Sequence, residues 1–223
     1  LLAWLIAFSV FYFLLKRFEQ EWTANVVRVK HLVSFWLLTF LLTWEFAWII
    51  GYVLPEMPIL IYITRGLVPA ATIWIMLAFG NRLDWPVKKF KELYFGTGPG
   101  ILVIFVLLWT VVATFQTGNP KPLPYVPVLN PLELIQLFIM TAVLQWTIRT
   151  PLKLPLRQCW YTLSAIAFIV FNGIISRAVH FWAGVPFTLD ILWDSVCFQT
   201  AVSITWSIAA LSLAVIATRH KLR

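Results

Sequence analysis

The stretch Ile101-Leu-Val-Ile-Phe-Val-Leu-Leu-Trp-Thr-Val-Val-Ala-Thr-Phe115 decides the fold, because it carries no charged residue at any position. A transmembrane β-strand would alternate apolar and polar residues over about ten positions, and this run does not alternate. Similar runs recur along the chain, most of them roughly 18–23 residues long, which suits helices that cross a ~30 Å hydrocarbon core. A helix also pairs its own backbone N–H and C=O groups, as lipid requires. The sequence therefore predicts an all-α, polytopic transmembrane bundle.

The composition excludes a soluble fold. Of the 223 residues, 61% are hydrophobic and 12% are charged, whereas soluble domains contain about 45–50% apolar and 25% charged residues. A soluble domain of this size would leave too much of its apolar surface in water. The net charge of +8 does not indicate nucleic-acid binding, since the basic residues form short clusters between apolar runs. The lipid bilayer is the predicted partner, and the oligomeric state is left open.

About seven spans are predicted within a single transmembrane domain, residues 1–223. Their approximate boundaries are 1–15, 32–54, 58–79, 101–115, 131–148, 161–182 and 196–218. Most of the 17 Lys and Arg residues cluster on one side of this map. They are Lys16, Arg17, Arg28, Lys30, Arg82, Lys88, Lys89, Lys91, Arg149, Lys153, Arg157, Arg219, Lys221 and Arg223. By the positive-inside rule that side is cytoplasmic, so the N-terminus is predicted outside and the C-terminus inside.

Two connections have a distinctive composition. Residues 85–95 mix bases with aromatics and predict a short helix lying at the lipid headgroups, followed by a glycine-rich turn at 96–100. Residues 118–130 contain four prolines and predict a stiff, extended outer loop. The first span, 1–15, would be only ~22 Å long as a helix. We therefore expect a fragment of a longer membrane protein, whose remaining helices would be further partners.

Three motifs resemble a known family. They are Pro122-Leu-Pro-Tyr-Val-Pro-Val-Leu-Asn-Pro-Leu-Glu-Leu134, Ser176-Arg-Ala-Val-His-Phe-Trp-Ala-Gly-Val-Pro186 and Gln199-Thr-Ala-Val-Ser-Ile-Thr-Trp206. In order and spacing they resemble the large bacterial membrane-protein family catalogued as domain of unknown function 2339, although Glu133 stands where that family's motif would carry Asp. The resemblance implies the C-terminal portion of a multi-pass protein of the bacterial inner membrane. It implies no reaction.

Glu45 lies within the second predicted span, where an ionised carboxylate costs roughly 2.5–3.5 kcal/mol on insertion scales. It should be protonated, or face protein or water beside a cation, for which Arg65 and Arg177 are the candidates. One interpretation is a carboxylate site for a substrate or proton. The other is a structural polar contact between helices.

Arg177 and His180 share one face of the sixth span at i, i+3. An arginine at the outer mouth could bind an anionic group such as phosphate, because its guanidinium offers a bidentate fork. Alternatively, Arg177 extends to the headgroups and His180 sits at the interface.

The outer loops carry further polar candidates. Asn130 can cap the fifth span, and Glu133 at the third position can return a bond to the cap, or these residues and Tyr125 can bind a ligand. Asp190 precedes the seventh span and could cap it or act as an acid. No metal-ligand spacing and no cofactor motif is present.

These patterns lead to three hypotheses. The preferred one is an outward-facing pocket, as in an envelope enzyme acting on a lipid-linked anionic substrate. Its catalytic candidates are Glu45, His180 and Asp190, and its substrate-binding candidates are Arg65, Arg177, Tyr125, Asn130 and Glu133. The second is a transporter or channel module with Glu45 as the intramembrane site. The third is a structural scaffold whose polar residues only pack.

Overall fold

A computed structural model describes residues 2–219, and every regular element among them is helical. The main helices are α1 (Leu2–Phe18), α2 (Ala24–Val53), α3 (Pro58–Phe79), α4 (Gly98–Thr114), α5 (Pro131–Arg149), α6 (Leu156–Ala183), α7 (Leu189–Asp194) and α8 (Val196–Arg219). The predicted all-α transmembrane bundle is confirmed. Leu1, Lys221 and Arg223, which entered the predicted topology, lie outside the described residues.

The predicted number of spans agrees with the helices found. Between residues 2 and 219, six helices are long and apolar enough to cross a membrane, and α1 adds a shorter apolar helix of 17 residues. The chain is therefore a multi-pass membrane protein.

The segment after α3 packs one face against the bundle. Val87 and Tyr94 are buried at 1% and 2% exposure, while Lys88 and Lys91 are exposed. The position of this segment at the lipid headgroups stays a prediction, whereas the predicted glycine-rich turn at 96–100 is wrong, because the chain is helical there. The chain forms a π-helical turn at Leu93–Thr97 that continues directly into α4. Gly98 permits this path, since a Cβ there would lie 2.8 Å from the Leu93 carbonyl oxygen.

Helices α3, α4 and α5 pack against one another at the centre of the bundle, with α2 against α3 and α6 against α4 and α5. Trp109 of α4 packs so closely on Gly66 of α3 that an added Cβ would meet its ring at 2.6 Å. Buried threonines bond within their own helices, as Thr110 does to the Val106 carbonyl and Thr114 to the Thr110 carbonyl. Polar side chains are thereby satisfied without water, as membrane helices require.

The loops that carry the basic clusters meet at one end of the bundle. Lys89 pairs with Glu19 at 2.9 Å, and the indole of Trp146 donates to the Phe95 carbonyl at 2.9 Å. Contacts therefore join the α1–α2, α3–α4 and α5–α6 connections, as an alternating topology requires. The opposite end brings together the C-terminus of α4, the N-terminus of α5 and the C-terminal part of α6. We call it the Arg177 end.

Helix α8 lies apart from this core. Its contacts are chiefly with α6 and α7, and none of its described residues is buried.

Candidate functional site

Arg177 is the centre of a buried polar cluster at the Arg177 end. Its side chain is 0% exposed. Its Nη2 donates to the carbonyls of Ala113 and Thr114 at 3.0 and 3.1 Å, and its Nε donates to the Gln116 carbonyl at 3.0 Å. The last carbonyls of a helix have no intrahelical donor and form the negative end of its dipole. Arg177 therefore caps the C-terminus of α4 from the neighbouring helix.

A glycine makes room for this contact. Gly173 lies one turn before Arg177 on α6, and a Cβ at that position would lie 2.4 Å from the Thr114 methyl carbon. The absence of a side chain lets α6 approach the end of α4 closely enough for the guanidinium to reach its carbonyls. Gly173 thus determines the helix separation on which the cap depends.

Glu133 supplies the counter-charge. Its Oε1 lies 3.4 Å from the Arg177 Nη1, and both side chains are 0% exposed. The same carboxylate accepts hydrogen bonds from the Tyr125 hydroxyl at 2.8 Å and from the Val128 backbone N–H at 2.5 Å. Three donors around one carboxylate offset much of the desolvation of a buried charge.

Asn130 has a capping role, as predicted. Its Oδ1 accepts from the Leu132 N–H at 2.8 Å at the start of α5, and its Nδ2 donates to the Gly118 carbonyl at 2.7 Å. The predicted return bond from Glu133 to this cap is wrong, because Glu133 is turned toward Tyr125, Val128 and Arg177 instead. Both residues hold the proline-rich loop 115–130 against the bundle.

Tyr125 fixes the middle of that loop. Its ring stacks on Phe181 with a centroid separation of 4.6 Å. Burial, and then the hydrogen bond to the Glu133 carboxylate, raise the pKa of Tyr125 well above its usual value. The phenol therefore stays protonated and acts as a donor.

Gln136 extends the cluster toward the middle of the bundle. It is 0% exposed, and its Nε2 donates to the Thr110 carbonyl and the Thr114 hydroxyl at 3.1 and 3.0 Å. Its Oε1 has no hydrogen-bond partner among the described residues.

The structure brings four of the eight candidates together, namely Tyr125, Asn130, Glu133 and Arg177. The expectation that Arg177 extends to the headgroups is wrong, because its side chain is buried and all three of its side-chain nitrogens bond within the protein. It is also not the partner proposed for Glu45, since its carboxylate contact is Glu133.

The other four candidates lie elsewhere. His180 is half-buried, with its Nδ1 2.6 Å from the Val185 carbonyl, and it holds the turn after α6. Asp190 on α7 and Arg65 on α3 are exposed, and Glu45 on α2 is half-buried.

Two grooves flank α6 near the cluster, with volumes of about 540 and 710 Å³. Apolar and aromatic side chains dominate both, including Trp206 and Phe187 in the smaller groove. Neither groove is lined by Glu133 or Arg177, so the buried cluster does not open into them.

A second polar cluster lies at the opposite end and was missed. His31 on α2 is 0% exposed, and its Nδ1 lies 2.8 Å from the Tyr94 hydroxyl. Tyr12 reaches the same hydroxyl at 3.4 Å. A histidine at the very start of an apolar run was the available signal, but its partners are distant in sequence.

Comparison with known proteins agrees with this architecture. The family described as Predicted membrane protein (DUF2339) matches residues 1–223. No curated protein and no solved structure shows significant similarity to the chain. The resemblance carried by the proline-rich loop and the two later motifs is thereby confirmed, and the chain belongs to the DUF2339 family of predicted membrane proteins.

Proposed function

We propose that the chain is a structural membrane module in which Glu133 and Arg177 join the outer loop 115–130 to helices α4, α5 and α6. One observation carries this proposal: both charged groups are 0% exposed and satisfied by protein atoms. A ligand-binding arginine would keep donors directed toward a cavity, whereas the donors of Arg177 are used by carbonyls and by Glu133. The arrangement favours the scaffold hypothesis over an anion-binding pocket.

The remaining candidates also favour a scaffold. An enzyme for an anionic substrate would need Arg65, Arg177 and His180 around one space. Arg65 is exposed on α3, while His180 contacts the Val185 carbonyl within its own turn. We propose that His180 stabilises this turn, which positions α7.

We propose that the basic end of the bundle faces the cytoplasm of a bacterium and that the Arg177 end faces outward. Support comes from the meeting of the basic loops at one end, which is the pattern that the positive-inside rule describes. A tag at either end, tested with a membrane-impermeant reagent in intact cells, would check this orientation: the N-terminus should be accessible and the C-terminus protected.

We also propose that α8 contacts further transmembrane helices of a longer chain. It exposes both apolar surface and the polar residues Gln199, Ser203 and Ser207, and small or polar residues are frequent at contacts between membrane helices. Disulfide trapping from the natural Cys197, which is exposed, would identify the neighbouring helix.

The scaffold proposal is tested by separating folding from any direct role. In the full-length protein, Arg177→Met, Glu133→Gln and Tyr125→Phe are compared with the exposed control Arg149→Gln. Folded abundance is measured by size-exclusion chromatography, and function by rescue of the envelope phenotype of a deletion strain. We expect rescue to follow folded abundance in every variant. A variant with wild-type abundance and no rescue would instead indicate a ligand-binding role.

A further inference from the structure

A basic cleft lies at the end opposite the Arg177 end. It is formed where the first turns of α2 face the segment 89–97, and its volume is about 420 Å³. Arg28 reaches it from α2, and Lys89 and Lys91 reach it from the other segment. The fold thus gathers three cations around one space from parts of the chain about 60 residues apart.

Two of these cations have no counter-ion among residues 2–219. Lys89 is paired with Glu19 at 2.9 Å. In contrast, Arg28 and Lys91 are exposed and form no ion pair within residues 2–219. Glu92 also lines the cleft and reduces its positive charge without removing it. An anion between Arg28 and Lys91 would relieve the repulsion between them.

The floor of the cleft is apolar. Leu32, Phe90 and Leu93 line it beneath the cations, and Leu93 is buried at 7% exposure. Behind Phe90 lies the second polar cluster, with the Phe90 and His31 rings 4.5 Å apart. Cations above an apolar floor, at the end of a membrane-spanning bundle, suit an amphiphile whose anionic group lies at the membrane surface.

We propose that this cleft binds the phosphate headgroup of an anionic lipid. Arg28 and Lys91 would contact the phosphate oxygens, because guanidinium and ammonium groups form strong charge-assisted bonds with phosphate. Leu32 and Leu93 would contact the first carbons of the lipid. Basic pockets between helices at the cytoplasmic side are a recognised way of binding lipid headgroups. This inference does not depend on the scaffold role.

The test uses the full chain in nanodiscs of phosphatidylcholine with a minor fraction of phosphatidylglycerol, and native mass spectrometry counts the phosphatidylglycerol retained. Arg28→Gln/Lys91→Gln is compared with Arg149→Gln/Lys153→Gln. The control pair removes two exposed bases from the same end that do not line the cleft. We expect about fivefold weaker retention per lining cation and about thirtyfold for the pair, with little change in the control. Glu92→Gln should strengthen retention.

Two outcomes would overturn the proposal. Equal losses in the lining pair and the control pair would mean that phosphatidylglycerol follows the general charge of the surface. Inorganic phosphate identifies the source of the ligand: if millimolar phosphate binds the lining arginine and lysine as tightly as the lipid does, the site is one for free phosphate. Because the substituted side chains are exposed, the variants are expected to fold.

Discussion

Replacing Arg177 by methionine should destabilise the bundle more than any other single change in the buried cluster. The substitution leaves the Glu133 carboxylate buried without its counter-charge. It also removes the arginine donor from the carbonyls of Ala113, Thr114 and Gln116, of which Ala113 keeps the Gln116 N–H. Removing one partner of a buried ion pair costs about 3–5 kcal/mol. For a chain of this size, each kcal/mol lowers the unfolding temperature by about 2–4 °C. The expected decrease is therefore about 6–20 °C.

The assay is thermal unfolding of the purified protein in detergent, followed by tryptophan fluorescence and by loss of the monodisperse peak on size-exclusion chromatography. Arg149→Met is the matched control, since this arginine is exposed at the end of α5 and surface changes usually stay within about 0.5 kcal/mol. If Arg177→Met unfolds within the range of that control, Arg177 does not cap α4 and the scaffold argument fails.

Three further predictions follow from the same contacts. Gly173→Ala places a methyl group 2.4 Å from the Thr114 methyl carbon and should lower the free energy of unfolding by about 1–3 kcal/mol. Gly51→Ala is the control, because its methyl group meets only the flexible end of Ile61 at 3.3 Å. Equal unfolding temperatures of the two variants would contradict the close approach of α6 and α4. The pKa of Tyr125 is raised by burial and by Glu133, so the free energy of unfolding should fall as the pH rises above about 10. In Tyr125→Phe, unfolding scans should show a weaker dependence of stability on pH in this range. An unchanged dependence would count against the buried phenol. Burial acts to raise the pKa of Glu19, but the bonds of its carboxylate to Lys89 and Trp85 outweigh burial and lower the pKa. The stability that Glu19 contributes should therefore be lost as the pH falls below about 4. The stability of Glu19→Gln should not change with pH in this way during acid unfolding.

The sequence was sufficient to predict the architecture, because the bilayer sets the length of apolar segments and the side on which basic loops lie. The spans 58–79 and 131–148 match α3 and α5 almost to the residue, since Pro58 and Pro131 mark their first turns. The sequence did not show which side chains of the segment 85–95 would be buried. Val87 and Tyr94 occupy buried positions that only tertiary packing creates, while the lysines of the segment are exposed.

The candidate site was predicted as a set of residues and not as a set of contacts. Polarity near the predicted outer ends of the spans selected eight candidates, of which Tyr125, Asn130, Glu133 and Arg177 lie together in the structure. Local spacing could not show that Arg177 reaches carbonyls about 60 positions earlier, because these bonds depend on how α6 packs against α4. For the same reason, the contact between His31 and Tyr94 has no short-range signature.

The central claim is that Glu133 and Arg177 stabilise each other inside the bundle, and a double-mutant cycle measures this most directly. Unfolding free energies of the wild type, Glu133→Gln, Arg177→Met and the double variant are compared under one condition. Groups in direct contact typically show coupling of about 0.5–3 kcal/mol, while independent sites add within about 0.5 kcal/mol. We predict that the double variant loses at least about 2 kcal/mol less than the sum of the single losses. Simple additivity would contradict the account.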